Sequence, residues 1–315
     1  MEAENLKKGI FFGVIGAVLI GLQPVVANSR PESIDPYMFA AMTVIVEALI
    51  FFPIMMLERR KIKNNYNGNL NPEELDSLLN GYRKNLPLLL FVGSAFAVGM
   101  IMFFIGYQLA GAINGSLAQK STVFFALFFG WLILHEKITK KQLFFSILLF
   151  FGLVLAVTQA SFNILELNLG VIILLLMSLL WMFTHTITKP LFEKKEATPA
   201  QMVCMRNAIG GLILFSTYFL FYPAENIIFY FEDSINVFWF ILMGAVYSCG
   251  LFCWYKCLYY LNVSKASILV SPTPIVTAFF ATLFLGEFFT FFHFIGTIVI
   301  VFSIYMIMRE KQSEI

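Results

Sequence analysis

A lysine stands where a bilayer would be. Lys120 lies in the stretch 113–137, INGSLAQKSTVFFALFFGWLILHEK, whose later part, 123–134, is almost wholly apolar. An ammonium inside a membrane span is expensive and is rare unless something uses it. Ser116 precedes it by one helical turn, and Gln119, Ser121 and Thr122 surround it, so this half of the span is polar on more than one side. A water-filled cavity accounts for that pattern. Seven residues into a helix, Lys120 is about 10 Å below the boundary, which leaves snorkelling as the bland alternative to binding cargo or a counter-ion. As a binding group it would attract a carboxylate or a phosphate.

Other polar groups fall within apolar runs. Glu47 is about 15 Å from the outer end of its run and is expected to be protonated, paired or part of a proton relay. Arg206, with Asn207 beside it, is its prospective partner in a coupling role or an ion pair. Trp181 and His185 are one turn apart, and the histidine reads either as a cargo or proton group or as an interfacial residue. Gln23 and Pro24, and then Ser271, Pro272, Thr273 and Pro274, interrupt two more apolar runs. Prolines there free backbone carbonyls and mark hinges. Ala245, Cys249, Cys253 and Cys257 form a stripe of small residues that reads as helix packing rather than as soft-metal ligands. No metal or cofactor is expected. Neither a CxxC pair nor a GxxxxGK[ST] loop is present, so a disulfide framework and ATP hydrolysis by this chain have no support.

The elements that must carry these groups follow from composition. Hydrophobic residues make up 59% and charged residues 13% of the 315, with a mean hydropathy of +0.82. Soluble domains run at about 45–50% apolar and about 25% charged. An all-α integral membrane protein is implied. Ten runs are long enough to cross, at 9–28, 37–57, 86–110, 113–134, 141–160, 167–190, 200–222, 236–260, 266–286 and 290–308, and none alternates like a barrel strand. The first is too long for a signal-peptide core and is kept as a span.

Of the 21 Lys and Arg, 17 fall at one set of helix ends, including Lys265 and Lys311. Arg30 alone falls at the other set, and Lys120, Arg206 and Lys256 lie within runs. This bias places both termini in the cytoplasm of a multi-pass cell-membrane protein. The long inner loop, 58–85, contains a short amphipathic helix capped by Asn71 and opened by Pro72, suited to the membrane surface.

The chain repeats. A shift of 151 residues carries Leu132 to Leu283, Glu136 to Glu287 and Thr139 to Thr290, and Lys120 to Ser271. Gly13 matches Gly170, Pro36 matches Pro199, and Gly93 and Gly99 match Gly244 and Gly250. The halves, 1–160 and 161–315, hold five spans each, an odd number, so they are inverted repeats. Thr139 with Gln142 forms a capping box for the next helix. Glu136 and Glu287 read as structural carboxylates at a helix N-terminus, with Thr290 capping the helix after Glu287.

Ten helices in two halves, with STVFFALFFGWLILHEKIT in the first and SPTPIVTAFFATLFLGEFFT in the second, resemble the EamA-type members of the drug/metabolite transporter superfamily. Pro274 and Glu287, thirteen residues apart, carry the likeness. The first half departs from it, with Val123 at the proline position. The resemblance implies a central cavity and a small organic cargo. The function expected is secondary transport of a small polar metabolite, an amino acid or another carboxylate, by alternating access. A carrier of phosphorylated or nucleotide-linked metabolites is the alternative. A membrane-embedded enzyme would need a convergent nucleophile, base and oxyanion donors, and none is apparent; a non-transporting membrane protein is a further alternative, against which charges buried in a duplicated core count. The expected partners are the solute and the lipid bilayer, with no nucleic acid. One chain holds both halves, so a monomer suffices and a dimer stays open.

Overall fold

The computed structural model describes residues 2–64, 72–162, 168–260 and 269–309. Asn71, Lys265, Lys311 and residues 266–268 lie outside the described residues. Helices account for the described secondary structure: α1 (Glu2–Ser29), α2 (Pro36–Asn64), α3 (Pro72–Asn80), α4 (Leu86–Ala110), α5 (Ala112–Gln119), α6 (Thr122–Leu134), α7 (Lys140–Val157), α8 (Leu169–Glu193), α9 (Pro199–Phe221), α10 (Glu225–Glu232), α11 (Ser234–Tyr260), α12 (Thr273–Leu285) and α13 (Phe291–Arg309). Among the described residues nine segments are long and apolar enough to span a membrane, α5 and α6 counting as one, and α12 is a shorter tenth. The all-α, two-repeat architecture is the expected one.

Local chemistry starts these helices, at Thr139 as the sequence predicts and at Thr198 and Asp35 beyond it. Thr139 and Gln142 form a complete capping box on α7. Thr198 and Gln201 form another on α9, with Pro199 at its first position. At the matching start of α2, Asp35 accepts the Met38 N–H at 2.8 Å, ahead of Pro36. Each bond satisfies an N-terminal donor that the helix cannot pair internally.

Two of the expected spans are not continuous. The run 113–134 is divided at Lys120 and Ser121 into α5 and α6. In the second repeat α12 begins only at Thr273, after a turn at Ser271 and Pro272. The breaks fall at the same position of the repeat, 151 residues apart. Pro24, by contrast, lies inside an uninterrupted α1.

The chain divides into two compact units. The first comprises Met1–Arg30, Met102–Phe183 and Cys249–Ile315. In it α1 and α5 pack on α12, and α7 packs on α13. Gly13 and Gly16 of α1 meet Cys257 and Cys253, so these two thiols sit in a close helix contact, as small residues permit.

The second unit comprises Pro31–Ile101 and Thr184–Ser248. Here α2 packs on α9. A methyl group on Gly93 would overlap Ile209 of α9, and one on Gly244 would overlap Val46 of α2. Val46 and Ile209 are separated by the same 163 residues as Pro36 and Pro199, so one contact is made twice. The loop helix α3 is partly docked on protein: Leu79 is buried, and its carbonyl accepts from Arg59 and from Gln201. Part of the apolar face expected on the membrane surface is thus covered by the chain itself.

Candidate functional site

The candidate site of the first unit is built at the two helix breaks. In an α-helix the carbonyl of Val270 would accept from the backbone nitrogen four residues on, which is Pro274 and has no hydrogen. That carbonyl is therefore available. Lys120 Nζ donates to it at 3.2 Å, and the Thr273 hydroxyl donates to it from one turn away. The lysine that breaks the internal symmetry is bonded to a carbonyl freed by the proline that carries the family likeness.

Around this bond the residues are polar and largely buried. Gln119 accepts from the fully buried Tyr107 hydroxyl at 3.0 Å. Tyr107 in turn meets Phe103 at 4.6 Å between ring centroids, and Phe103 stacks on Trp181 at 6.1 Å. Ser116 spends its hydroxyl on the Ile113 carbonyl at 2.8 Å, one turn back in its own helix. Ser121, in the break, is buried with no partner for its hydroxyl among the described residues. Ser271 and Thr273 are buried at the facing break. Gln23 packs its amide against Gly250, where a Cβ would lie 3.2 Å from Nε2. Thr277 ties α12 to α1 by donating to the Gly21 carbonyl at 2.8 Å.

An ammonium has three donors, and Val270 takes one. Among the described residues no carboxylate pairs with Lys120. The site thus presents a cation with spare donors beside an unpaired hydroxyl, an amide and a backbone break. Such an arrangement can hold a small anionic or polar molecule.

His185, Glu47 and Arg206 belong to the second unit instead. Glu47 is fully buried, and among the described residues neither of its oxygens has a partner in hydrogen-bond geometry. Arg206 forms no ion pair with it. The guanidinium lies over the Phe96 ring, 4.1 Å from the centroid. Asn207 is fully buried, and among the described residues neither of its amide atoms has a partner in hydrogen-bond geometry. His185 is exposed. Of the residues nominated for cargo, Lys120, Gln119, Ser116, Gln23, Trp181, Ser271 and Thr273 fall in the first unit, while His185 falls in the second with the nominated coupling pair Glu47 and Arg206.

Tyr107, Phe96 and the Val270 carbonyl were not nominated. Counting back four residues from Pro274 finds Val270. No comparable sequence signal finds the aromatic residues among 17% aromatic composition.

Broken helices at matching positions of a duplicated, all-helical chain are a recurring feature of membrane transporters. The sequence matches the EamA-like transporter family over residues 7–158 and again over 168–309, and the chain belongs to that family. An uncharacterized transporter of Methanothermobacter thermautotrophicus is 22% identical over 204 residues, which are 64% of this chain and 58% of that protein. The chain thus spans less than two thirds of this relative's length. A solved structure described only as the crystal structure of a protein superposes with a TM-score of 0.63 at 11% identity, over 95% of this chain and 96% of the other. At that identity the likeness shows the fold alone.

Proposed function

We propose that the chain is a secondary transporter of a small organic anion, with an amino acid or another carboxylate as cargo, and that Lys120 is the cargo's charge partner. The bond from Lys120 to the Val270 carbonyl carries this reading. A backbone carbonyl is a neutral partner, and a cargo carboxylate at the same place would make the stronger, charge-assisted bond. The ammonium is held in place yet keeps its charge for cargo. Gln119, Ser121, Ser271 and Thr273 would complete the seat, with Trp181 and Tyr107 as an apolar wall.

The halves 1–160 and 161–315 are the two repeats, and each contributes one broken helix to the first unit. Breaks at equivalent points give each repeat a place to bend, as alternating access requires. Both termini are cytoplasmic and the protein resides in the cell membrane, on the positive charge bias of alternate loops. A single chain in lipid holds both repeats, so a monomer suffices for this mechanism.

A thermal-shift screen of the purified protein against amino acids, other carboxylates, phosphorylated sugars and neutral analogues tests the proposal, followed by proteoliposome flux of each hit. Carboxylates should stabilise the protein and be transported. Stabilisation by phosphorylated solutes alone would move the cargo class to phosphates, and chemical turnover of a hit would replace transport by catalysis.

A further inference from the structure

The half-helix that delivers Lys120 is too short to hold itself. α5 has eight residues, about two turns, where an isolated helix needs roughly 12–15 to be even marginal. Its first backbone N–H groups have no partner inside the helix. They are taken by Glu287 from the other repeat. Oε1 accepts from the Ala112 N–H at 2.6 Å and Oε2 from the Ile113 N–H at 2.9 Å.

By sequence alone Glu287 reads as a carboxylate at the N-terminus of the helix that follows it. It caps α5, 174 and 175 residues away in the chain, because Gly286 ends α12 in the left-handed region at φ +68 and turns the chain back. The following helix has its own cap: Thr290 accepts from the His293 N–H at 3.2 Å, and His293 Nδ1 accepts from the Thr290 N–H at 3.1 Å. His293 Nε2 lies 3.0 Å from Asn114 Oδ1, within hydrogen-bond distance, and 3.1 Å from Gln159 Nε2. The first turn of α5 is therefore clasped twice from the corner between α12 and α13.

Gly111 makes the clasp possible. Its φ is +80, and a Cβ there would stand 3.2 Å from Glu287 Oε1. At the other end of the same two turns, Lys120 reaches Val270, just before α12 begins. The rod α5 is fastened at both ends to the segment surrounding α12.

We infer that Glu287 is a positioning residue for Lys120: by holding the N-terminus of α5 it sets where the ammonium stands at the break. This goes beyond a capping role and rests on the reading of Lys120 as the cargo seat. A cap alone would protect only the amides it touches. A positioning residue must also govern the turn at Lys120 and Ser121, whose N–H groups bond to the Leu117 and Ala118 carbonyls at 3.1 and 3.0 Å.

Hydrogen–deuterium exchange on the purified full-length protein separates these cases. Glu287→Gln keeps one of the two acceptors, Glu287→Ala keeps neither, and Gly111→Ala attacks the same contact from the other side. Exchange of amides 112–116 should quicken roughly tenfold in Glu287→Ala and less in Glu287→Gln. Amides 118–121 should follow in the same order, while α7 of the same unit stays protected. Gly111→Ala should reproduce the pattern. Unchanged exchange at 118–121 in all three variants would overturn the inference, and so would uniform loss of protection across the chain in all three. If cargo affinity is indifferent to Lys120 while exchange at 118–121 follows Glu287, the cargo reading fails and the clasp stands.

Discussion

Lys120 Nζ and the Val270 carbonyl oxygen stand 3.2 Å apart across two helix breaks, and Pro274 is the reason the carbonyl is available. Pro274→Ala would restore a backbone N–H that competes for it. We predict a protein at least as stable as the wild type, measured by thermal unfolding, with cargo flux reduced about tenfold, a loss equal to roughly 1.4 kcal/mol. Undiminished flux would separate the proline from the site.

The twice-made glycine contact predicts a stability loss with a specific rescue. Gly244→Ala drives a methyl group into Val46, and overpacking of this kind costs about 1–3 kcal/mol. Val46→Ala should recover most of that loss. The matching pair Gly93→Ala and Ile209→Ala should behave alike, as thermal melts of the four single and two double variants will show.

Arg206 and Phe96 should be coupled. With the guanidinium 4.1 Å from the ring centroid, a double-mutant cycle of Arg206→Met and Phe96→Leu should return a coupling of about 1–2 kcal/mol, as expected for a desolvated cation–π contact. Additive losses would contradict the contact.

Alkaline stability should depend on Tyr230 in α10. Its hydroxyl donates to Asp35 Oδ2 at 2.6 Å, and burial first, then that carboxylate, pushes the phenol well above the ordinary tyrosine value. The neutral phenol is favoured in the folded state, so its stabilisation is complete below the unfolded value of about 10 and is lost as pH rises above it. Tyr230→Phe should flatten the fall in melting temperature above about pH 10. An identical pH profile in both proteins would remove Tyr230 as the cause.

The spans, the duplication and the capping threonines were legible because they depend on local composition and spacing. Lys120 was legible as an anomaly, since a charge in an apolar run needs no partner to be noticed. Its partner was hidden because it is a main-chain carbonyl, and side-chain identity at Val270 says nothing of it. Glu287 shows the same limit: its place at a helix N-terminus could be read, but which helix depends on a left-handed turn at Gly286 and on tertiary packing. Periodicity also could not separate Trp181 from His185, one turn apart on α8, although they belong to different units.

The central claim is that Lys120 recognises a negative charge on the cargo. Its most direct test is the dissociation constant of the stabilising solute for the wild type, Lys120→Gln and Lys120→Arg, measured beside that of the solute's uncharged amide or ester. Loss of a charge-assisted bond of about 1.5–3 kcal/mol predicts a weakening of roughly 10- to 100-fold for Lys120→Gln with the anion, a smaller one for Lys120→Arg, and little change with the neutral analogue. Equal affinity of wild type and Lys120→Gln for the anion would contradict the account.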